Sequence, residues 1–206
     1  MFLSSAASGV KVTALPDHPS KATQKLGPGR LILVVGPSGA GKDTLLAALR
    51  HELSGSDDIH FARRSVTRVS DHKSEDHDSI TQEEYDDHVR RNDVALCWEA
   101  HGLGYIIPAV YDDAIRNGET VIANGSRRAL GKAYDKYQTV AVLLITAPTE
   151  VLVERLLARG RETRAEIETR LKSVDLDVAG YETIIRIENT GTIEDGVRRI
   201  RSALDL

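Results

Sequence analysis

A glycine-rich segment lies between an apolar run and a helix-forming run in "VVGPSGAGKDTLL", residues 34–46. Gly36 is followed by four residues and then by Gly41-Lys42. Glycines at these positions let the backbone turn tightly, so that successive N–H groups point into one concavity beside a helix N-terminus. The strand–loop–helix context predicts a phosphate-binding loop (P-loop), with Lys42 reaching the outer phosphates. The residues predicted to bind the nucleotide here are Gly36, Pro37, Ser38, Gly39, Ala40, Gly41, Lys42, Asp43 and Thr44.

The residue after Lys42 departs from the usual pattern, which has Ser or Thr at this position to coordinate Mg²⁺. Here it is Asp43, followed by Thr44. A carboxylate is also a hard oxygen ligand, and it could hold the ion directly or through water. Alternatively, Asp43 only caps the helix and Thr44 supplies the metal oxygen. We favour a metal-associated role for Asp43 and keep both residues as candidate ligands.

Composition excludes several classes of protein. The formal net charge of -4 argues against a general nucleic-acid binder. No apolar run reaches the roughly 20 residues of a membrane span, so no membrane contact is expected. Cys97 is the single cysteine, which favours a reducing cytoplasm. The sequence leaves the oligomeric state open, a homodimer included.

The first 29 residues are rich in Ser, Gly, Pro and Lys, and they predict a flexible tail before a domain at residues 30–206. In that domain, apolar runs alternate with helical patterns, which predicts an α/β fold with a parallel sheet flanked by helices. Predicted strands are "RLILVV", "HFARRSVT", "ALCWEA", "TVIAN", "TVAVLLIT" and "YETIIRI". Predicted helices cover about 42–53, 81–92 (capping box Thr81/Glu84), 108–117 (Pro108 in the first turn), 148–159, 164–174 and 193–204.

An arginine-rich segment, "VERLLARGRETRAEIETRL", predicts two helices that break at Gly160. Its arginines are Arg155, Arg159, Arg161, Arg164 and Arg170. Arg155 and Arg159 share a helical face, where like charges repel unless an anion lies between them. We therefore predict a lid over the polyphosphate at about residues 150–172. A solvated charged face, with Glu166 pairing to Arg170, is the alternative.

The order of "GPSGAGKD", "SVTR" (65–68) and this arginine-rich segment resembles the guanylate kinase-like branch of nucleoside monophosphate kinases, from about Arg30 to the C-terminus. The resemblance implies that Arg68 holds the acceptor's phosphate, that the lid closes over ATP, and that Asn189 lies near the adenine. The base-reading residues do not match. Cys97, for example, replaces a guanine-reading Glu, so a guanylate acceptor is disfavoured.

These departures resemble the ribose 1,5-bisphosphate phosphokinases, particularly in "GKD", in "ALCW" with "GLGY", and in "NGSR" at 124–127. The resemblance implies that Mg²⁺-dependent transfer from ATP phosphorylates the 1-phosphate of a sugar bisphosphate. Residues expected to act in catalysis are Lys42, Arg68, Arg155 and Arg159. Residues expected to bind the acceptor, at about 61–107 and beyond, are Arg68, Tyr105, Asn124, Ser126, Arg127, Arg164 and Arg170. A simple turn with a helix cap is the alternative for "NGSR".

Two rival functions follow from the same features: a nucleoside monophosphate kinase for an unusual base, and a non-catalytic guanylate kinase-like binding module. The intact Gly41-Lys42 and the full lid argue against the second. The loop "DHKSEDHD" at 71–78 is interpreted as solvated rather than as a metal site, and Cys97 and Trp98 as packing residues.

Overall fold

A computed structural model describes residues 24–68, 77–160, 162–172, 178 and 180–206. Its strands are β1 (Leu26–Val35), β2 (Ile59–Ala62), β3 (Arg64–Val66), β4 (His77–Ser79), β5 (Val94–Ala100), β6 (Leu103–Pro108), β7 (Thr120–Asn124), β8 (Tyr137–Thr146) and β9 (Ile184–Glu188). Its α-helices are α1 (Lys42–Glu52), α2 (Gln82–Arg91), α3 (Val110–Arg116), α4 (Leu130–Lys136), α5 (Thr149–Leu157), α6 (Arg164–Lys172) and α7 (Ile193–Leu204), with a 3₁₀ helix at Arg127–Ala129. Within this part of the chain, every helix is too short or too polar to span a bilayer.

The main sheet is parallel, as the sequence predicted, and its five strands lie in the order β2-β7-β1-β8-β9. β1 is buried on both faces because its side chains alternate between two cores. Leu31 and Leu33 pack in the core that includes α3 and α4, whereas Ile32 and Val34 pack with α1 and α7. The strands are parallel, so the P-loop after β1 and the residues after β7 and β9 all meet at one edge of the sheet.

A second, smaller sheet has the order β4-β3-β6-β5 and is mostly antiparallel. The sequence predicted a single strand for "HFARRSVT", and that prediction was wrong. The chain crosses at Arg63 from β2, which pairs with β7 in the main sheet, to β3, which pairs with β6 in the second sheet. The chain thereby places the residues around Arg64 opposite the P-loop edge.

Other boundaries also differ from the sequence-based predictions. β1 begins at Leu26, so residues 26–29 belong to the sheet and not to a tail, while residues 1–23 lie outside the described part. Pro108 ends β6 instead of beginning α3, and it lies where the pairing with β5 shifts register, since proline is tolerated at such bulges. β4, β6 and α4 were not predicted. Of the loop 71–78, only His77 and Asp78 are described, in β4. The capping box of α2 is confirmed.

A row of three cationic side chains covers the outer edge of β5. They lie four residues apart, from the 3₁₀ helix to the end of α4, and each donates to a β5 carbonyl oxygen: Arg128 to Glu99 (3.0 Å), Lys132 to Cys97 (3.0 Å) and Lys136 to Ala95 (2.8 Å). Four helical residues rise about 6 Å, and carbonyls on one edge of a strand recur about every 6.6 Å. The two repeats match closely enough for this row of cations to bond to the carbonyl oxygens on the edge of β5. The row thereby attaches the second sheet to the main domain.

Lys136 also neutralises a buried acid. Its Nζ lies 2.7 Å from Oδ2 of Asp112, which is only 6% exposed. The Tyr137 hydroxyl donates to the other carboxylate oxygen at 2.7 Å. Burial, followed by the hydrogen bond and the charge of Asp112, raises the pKa of Tyr137, so the phenol remains a donor. The two side chains together satisfy a carboxylate that the core could not otherwise hold.

We expect Lys136→Met to lower the free energy of unfolding by about 3 kcal/mol, because it leaves the Asp112 carboxylate buried without its cation. Lys132→Met is the matched control, since it removes a similar carbonyl contact on the same helix without leaving a buried acid unpaired, and it should cost about 1 kcal/mol or less. Urea unfolding of both variants measures the difference. Equal losses would show that the Asp112 pair contributes nothing beyond the edge contacts.

Candidate active site

The P-loop turns through three glycines with positive φ: Gly36 (148°), Gly39 (86°) and Gly41 (87°). Space as well as conformation excludes a larger residue at two of them. A Cβ on Gly36 would overlap the carbonyl oxygen of Ile145 on β8, and a Cβ on Gly41 would overlap the amide nitrogen of Asn189. The glycines therefore allow the loop to pack against the ends of two neighbouring strands.

Two side chains from outside the loop hold its carbonyls. Asn189, buried at the end of β9, donates its amide to the carbonyl oxygen of Ala40 at 2.8 Å. Arg155 on α5 donates to the carbonyls of Gly39 (3.4 Å) and Asn189 (3.1 Å). Because these bonds occupy the carbonyls, they favour a loop whose N–H groups face the phosphate side. The adenine contact predicted for Asn189 and the lid role predicted for Arg155 stay predictions.

Lys42 folds back onto the loop, where its Nζ donates to the carbonyl oxygens of the first two loop residues, at 2.9 and 3.0 Å. The pKa of Lys42 is lowered to about 8, mainly by burial; Asp43 opposes this shift, and Arg64 and Arg159 add to it. A polyphosphate beside Nζ would reverse this shift, because an anion favours the charged amine. The lysine thus lies at the loop with its charge poorly stabilised until an anion is bound.

Asp43 lies at the first turn of α1 and accepts a 2.5 Å hydrogen bond from the amide of Asn124, at the end of β7. Thr44 follows it and is exposed. In the described part of the chain, no group of three or more His, Cys, Asp or Glu side chains could form a complete metal cage. One carboxylate and one hydroxyl nevertheless fit Mg²⁺, which commonly takes few protein ligands and completes its shell with water and substrate phosphates.

The predicted acceptor residues approach this edge from both sheets. Arg68 follows β3, and Tyr105 lies on β6. Ser126 caps the 3₁₀ helix by accepting from the backbone N–H of Arg128, so the turn-and-cap interpretation of "NGSR" describes this serine. Arg127 begins the same 3₁₀ helix. Asn124 contacts Asp43 and so links the two halves of the site, a contact that the sequence did not suggest.

Sequence reasoning missed one residue of this site, Arg64. It is only 8% exposed, which is a low value for an arginine. Its guanidinium lies over the rings of Tyr105 (5.5 Å) and Trp98 (5.9 Å). The adjacent Arg63 is exposed instead and pairs with Asp78 at 2.7 Å. The only available signal was alternation within a strand, which places Arg64 on the face of the buried Val66.

The lid arginines form two groups. Arg159 is exposed and close enough to lower the pKa of Lys42. Arg164 and Arg170 form ion pairs inside the lid itself, with Glu168 (3.5 Å) and Glu162 (2.7 Å) respectively. Glu166 does not form the suggested pair with Arg170, because it accepts hydrogen bonds from the N–H and hydroxyl of Thr163 at the start of α6. Arg161 lies outside the described residues.

Comparisons with known proteins find relatives of this chain at the level of sequence. A family model described as an AAA domain matches residues 32–173. Among curated relatives, the ribose 1,5-bisphosphate phosphokinase PhnN of Rhizobium etli is 40% identical over 91% of this chain and 94% of its own length. The protein of the same name from Brucella melitensis is 45% identical over 80% of this chain and 86% of its own.

Solved structures show the same fold at lower identity. A guanylate kinase from Anaplasma phagocytophilum superposes with a TM-score of 0.59 at 20% identity, covering 88% of this chain and 86% of that one. A sugar kinase from a Janibacter species gives a TM-score of 0.52 at 18% identity, covering 86% and 95%. At these identities the likeness concerns the fold alone, and it confirms the predicted α/β kinase architecture.

We expect nucleotide binding to take up a proton at about pH 8.5 to 9, because Lys42 is partly neutral there in the free protein and becomes charged beside the phosphates. Affinity should accordingly fall as the pH rises above the Lys42 pKa of about 8. Titration calorimetry with ADP in two buffers of different ionisation enthalpy measures the uptake. Lys42→Arg is the control, since its guanidinium stays charged. The same uptake in both proteins would place the titrating group elsewhere.

Proposed function

The chain belongs to the ribose 1,5-bisphosphate phosphokinases, and we propose that it transfers the γ-phosphoryl group of ATP to the 1-phosphate of ribose 1,5-bisphosphate. The products are 5-phosphoribosyl 1-diphosphate and ADP. The observation that carries the proposal is the meeting, at one edge of the main sheet, of a P-loop with a cleft lined by Arg50 and Arg64. Such a site suits a donor and an acceptor that are both anions.

In the reaction, an oxygen of the acceptor's 1-phosphate forms a new bond to the γ-phosphorus of ATP. The bond from that phosphorus to the β–γ bridging oxygen breaks, and ADP leaves with the electron pair. The attacking oxygen already carries negative charge near neutral pH, so the step needs no general base, unlike transfer to a hydroxyl. What the site must supply is alignment and relief of repulsion between two polyanions.

The residues divide this task between donor and acceptor. Lys42 would leave the loop carbonyls for the outer phosphates of ATP, with Arg159 closing from the lid at about residues 150–172. Arg68 and Arg127, from the region of about 61–107 and the turn after β7, would hold the acceptor. Asp43 and Thr44 would hold Mg²⁺, which when bound offsets negative charge on the donor phosphates.

A base-free acceptor is favoured over a nucleotide. The stacked rings of Trp98 and Tyr105, with centroids 5.3 Å apart, are a surface on which a base could pack, but the Arg64 guanidinium covers them. The likeness to guanylate kinase is one of fold, and a nucleoside monophosphate kinase is the less favoured alternative. We also propose a cytoplasmic location, supported by the single, buried and free Cys97.

We expect ADP release only with the sugar bisphosphate when ribose 1,5-bisphosphate, GMP, AMP and UMP are offered separately in a coupled assay with ATP and Mg²⁺. The physical reason is that the cleft presents cations where a base reader would need neutral donors and acceptors. Omitting each acceptor controls for ATP hydrolysis. Preferential turnover of any nucleotide would reject the assignment.

Arg68→Ala should raise the KM for the sugar bisphosphate about 10- to 100-fold, since it removes charge-assisted hydrogen bonds to the acceptor. ATP binding should change little. Calorimetry with a non-hydrolysable ATP analogue, set beside acceptor kinetics, separates the two effects. A larger loss of nucleotide affinity than of acceptor affinity would show that Arg68 binds ATP and not the acceptor.

A further inference from the structure

Arg64 is held between the two halves of the site. It lines a cleft of about 90 Å³ with Asp43 and Arg50 of the P-loop helix and Asn124 of β7. Its side chain comes from β3 in the second sheet, on the face that carries Val66, Tyr105 and Trp98. The cleft therefore opens where the P-loop edge of the main sheet meets the acceptor region.

The electrostatic partners of Arg64 come from both the donor side and the acceptor side of the site. It lowers the pKa of Lys42, the donor-side lysine. Its own pKa is lowered, first by burial and then by Arg68, while Asp43 and Tyr105 act in the opposite sense. Arg68 is not among the main influences on Lys42. Arg64 is thus electrostatically coupled both to the lysine that meets the donor and to the arginine expected to meet the acceptor.

Cation–π contacts hold this cation beside two rings, with its ζ carbon 5.5 Å from the Tyr105 centroid and 5.9 Å from the Trp98 centroid. A guanidinium is a two-pronged donor that matches phosphate. Because the rings lie on two adjacent strands of the second sheet, the fork is held by regular structure. Little conformational entropy then remains to be lost when an anion binds.

We propose that Arg64 binds the phosphate of the acceptor that is to be phosphorylated, at the junction with the γ-phosphate of ATP. Arg68 is then left to hold the sugar's other phosphate. In this position Arg64 offsets the repulsion between the two reacting phosphates and orients the attacking oxygen. The inference rests on the proposed function, and it assigns to Arg64 a role that neither the P-loop nor the "TR" motif specifies.

The test compares three variants with the native protein, using steady-state kinetics with ribose 1,5-bisphosphate and inhibition by ribose 5-phosphate, which lacks the reacting phosphate. Arg64→Met keeps the length of the side chain and removes its charge, and Arg64→Lys keeps the charge and removes the fork. Arg63→Met is the matched control, an adjacent arginine whose partner Asp78 lies on β4. Retained affinity for an ATP analogue establishes that each variant is folded.

We expect kcat/KM for the bisphosphate to fall about 100-fold or more in Arg64→Met and about 10-fold in Arg64→Lys, with Arg63→Met near native. Inhibition by ribose 5-phosphate should stay within about twofold of native in Arg64→Met, because a ligand without the reacting phosphate does not meet this residue. If ribose 1,5-bisphosphate and ribose 5-phosphate were weakened equally, Arg64 would bind the 5-phosphate that they share, and the proposal would be overturned. Native kinetics in Arg64→Met would also overturn it.

Binding can be followed without turnover because Trp98, under the Arg64 guanidinium, is the only tryptophan in the chain. Its fluorescence should change when ribose 1,5-bisphosphate is added to the native protein, and this change should be lost in Arg64→Met. Ribose 5-phosphate should leave the emission largely unchanged. If the native protein neither binds nor phosphorylates the bisphosphate, the proposed function itself fails, whereas native turnover that survives Arg64→Met refutes only the role of Arg64.

Discussion

The site depends on the P-loop keeping its shape, and two sets of donors hold its carbonyl oxygens. Asn189 and Arg155 bond to Ala40 and Gly39 from neighbouring elements. These bonds can persist when a nucleotide binds. Lys42 bonds to the first two loop carbonyls only as long as no phosphate competes for its charge. Fixed donors therefore maintain the shape of the loop, and the exchangeable donor is the one that meets the ligand.

The position of the second sheet depends on a periodicity match. The cations of Arg128, Lys132 and Lys136 reach β5 because the four-residue step of a helix and the two-residue step of a strand are nearly equal in length. The three side chains occupy the edge of β5, which could otherwise pair with another strand. It also attaches the strand that carries Trp98 to the main domain, and Trp98 in turn supports Arg64.

The sequence predicted the features that are encoded locally. β1, the P-loop and α1 form one continuous pattern of apolar residues, glycines and helix formers, and the capping box of α2 spans four residues. The crossing at Arg63 was missed because a strand that changes sheets keeps the same composition. Arg64 was missed for a related reason. Arg63 and Arg64 are chemically identical, and only the pairing of β3 with β6 decides which of them is buried.

The charges that line the cleft also favour one kind of nucleophile. Asp43 is its one carboxylate among the described residues, and the amide of Asn124 already engages one of its oxygens. A kinase for hydroxyl groups needs a carboxylate positioned to accept a proton, whereas a phosphate nucleophile needs cations that let it approach another phosphate. Arg64 adds a cation to this cleft, and burial lowers its pKa while Asp43 opposes that shift. Its charge favours an acceptor that attacks through its own phosphate.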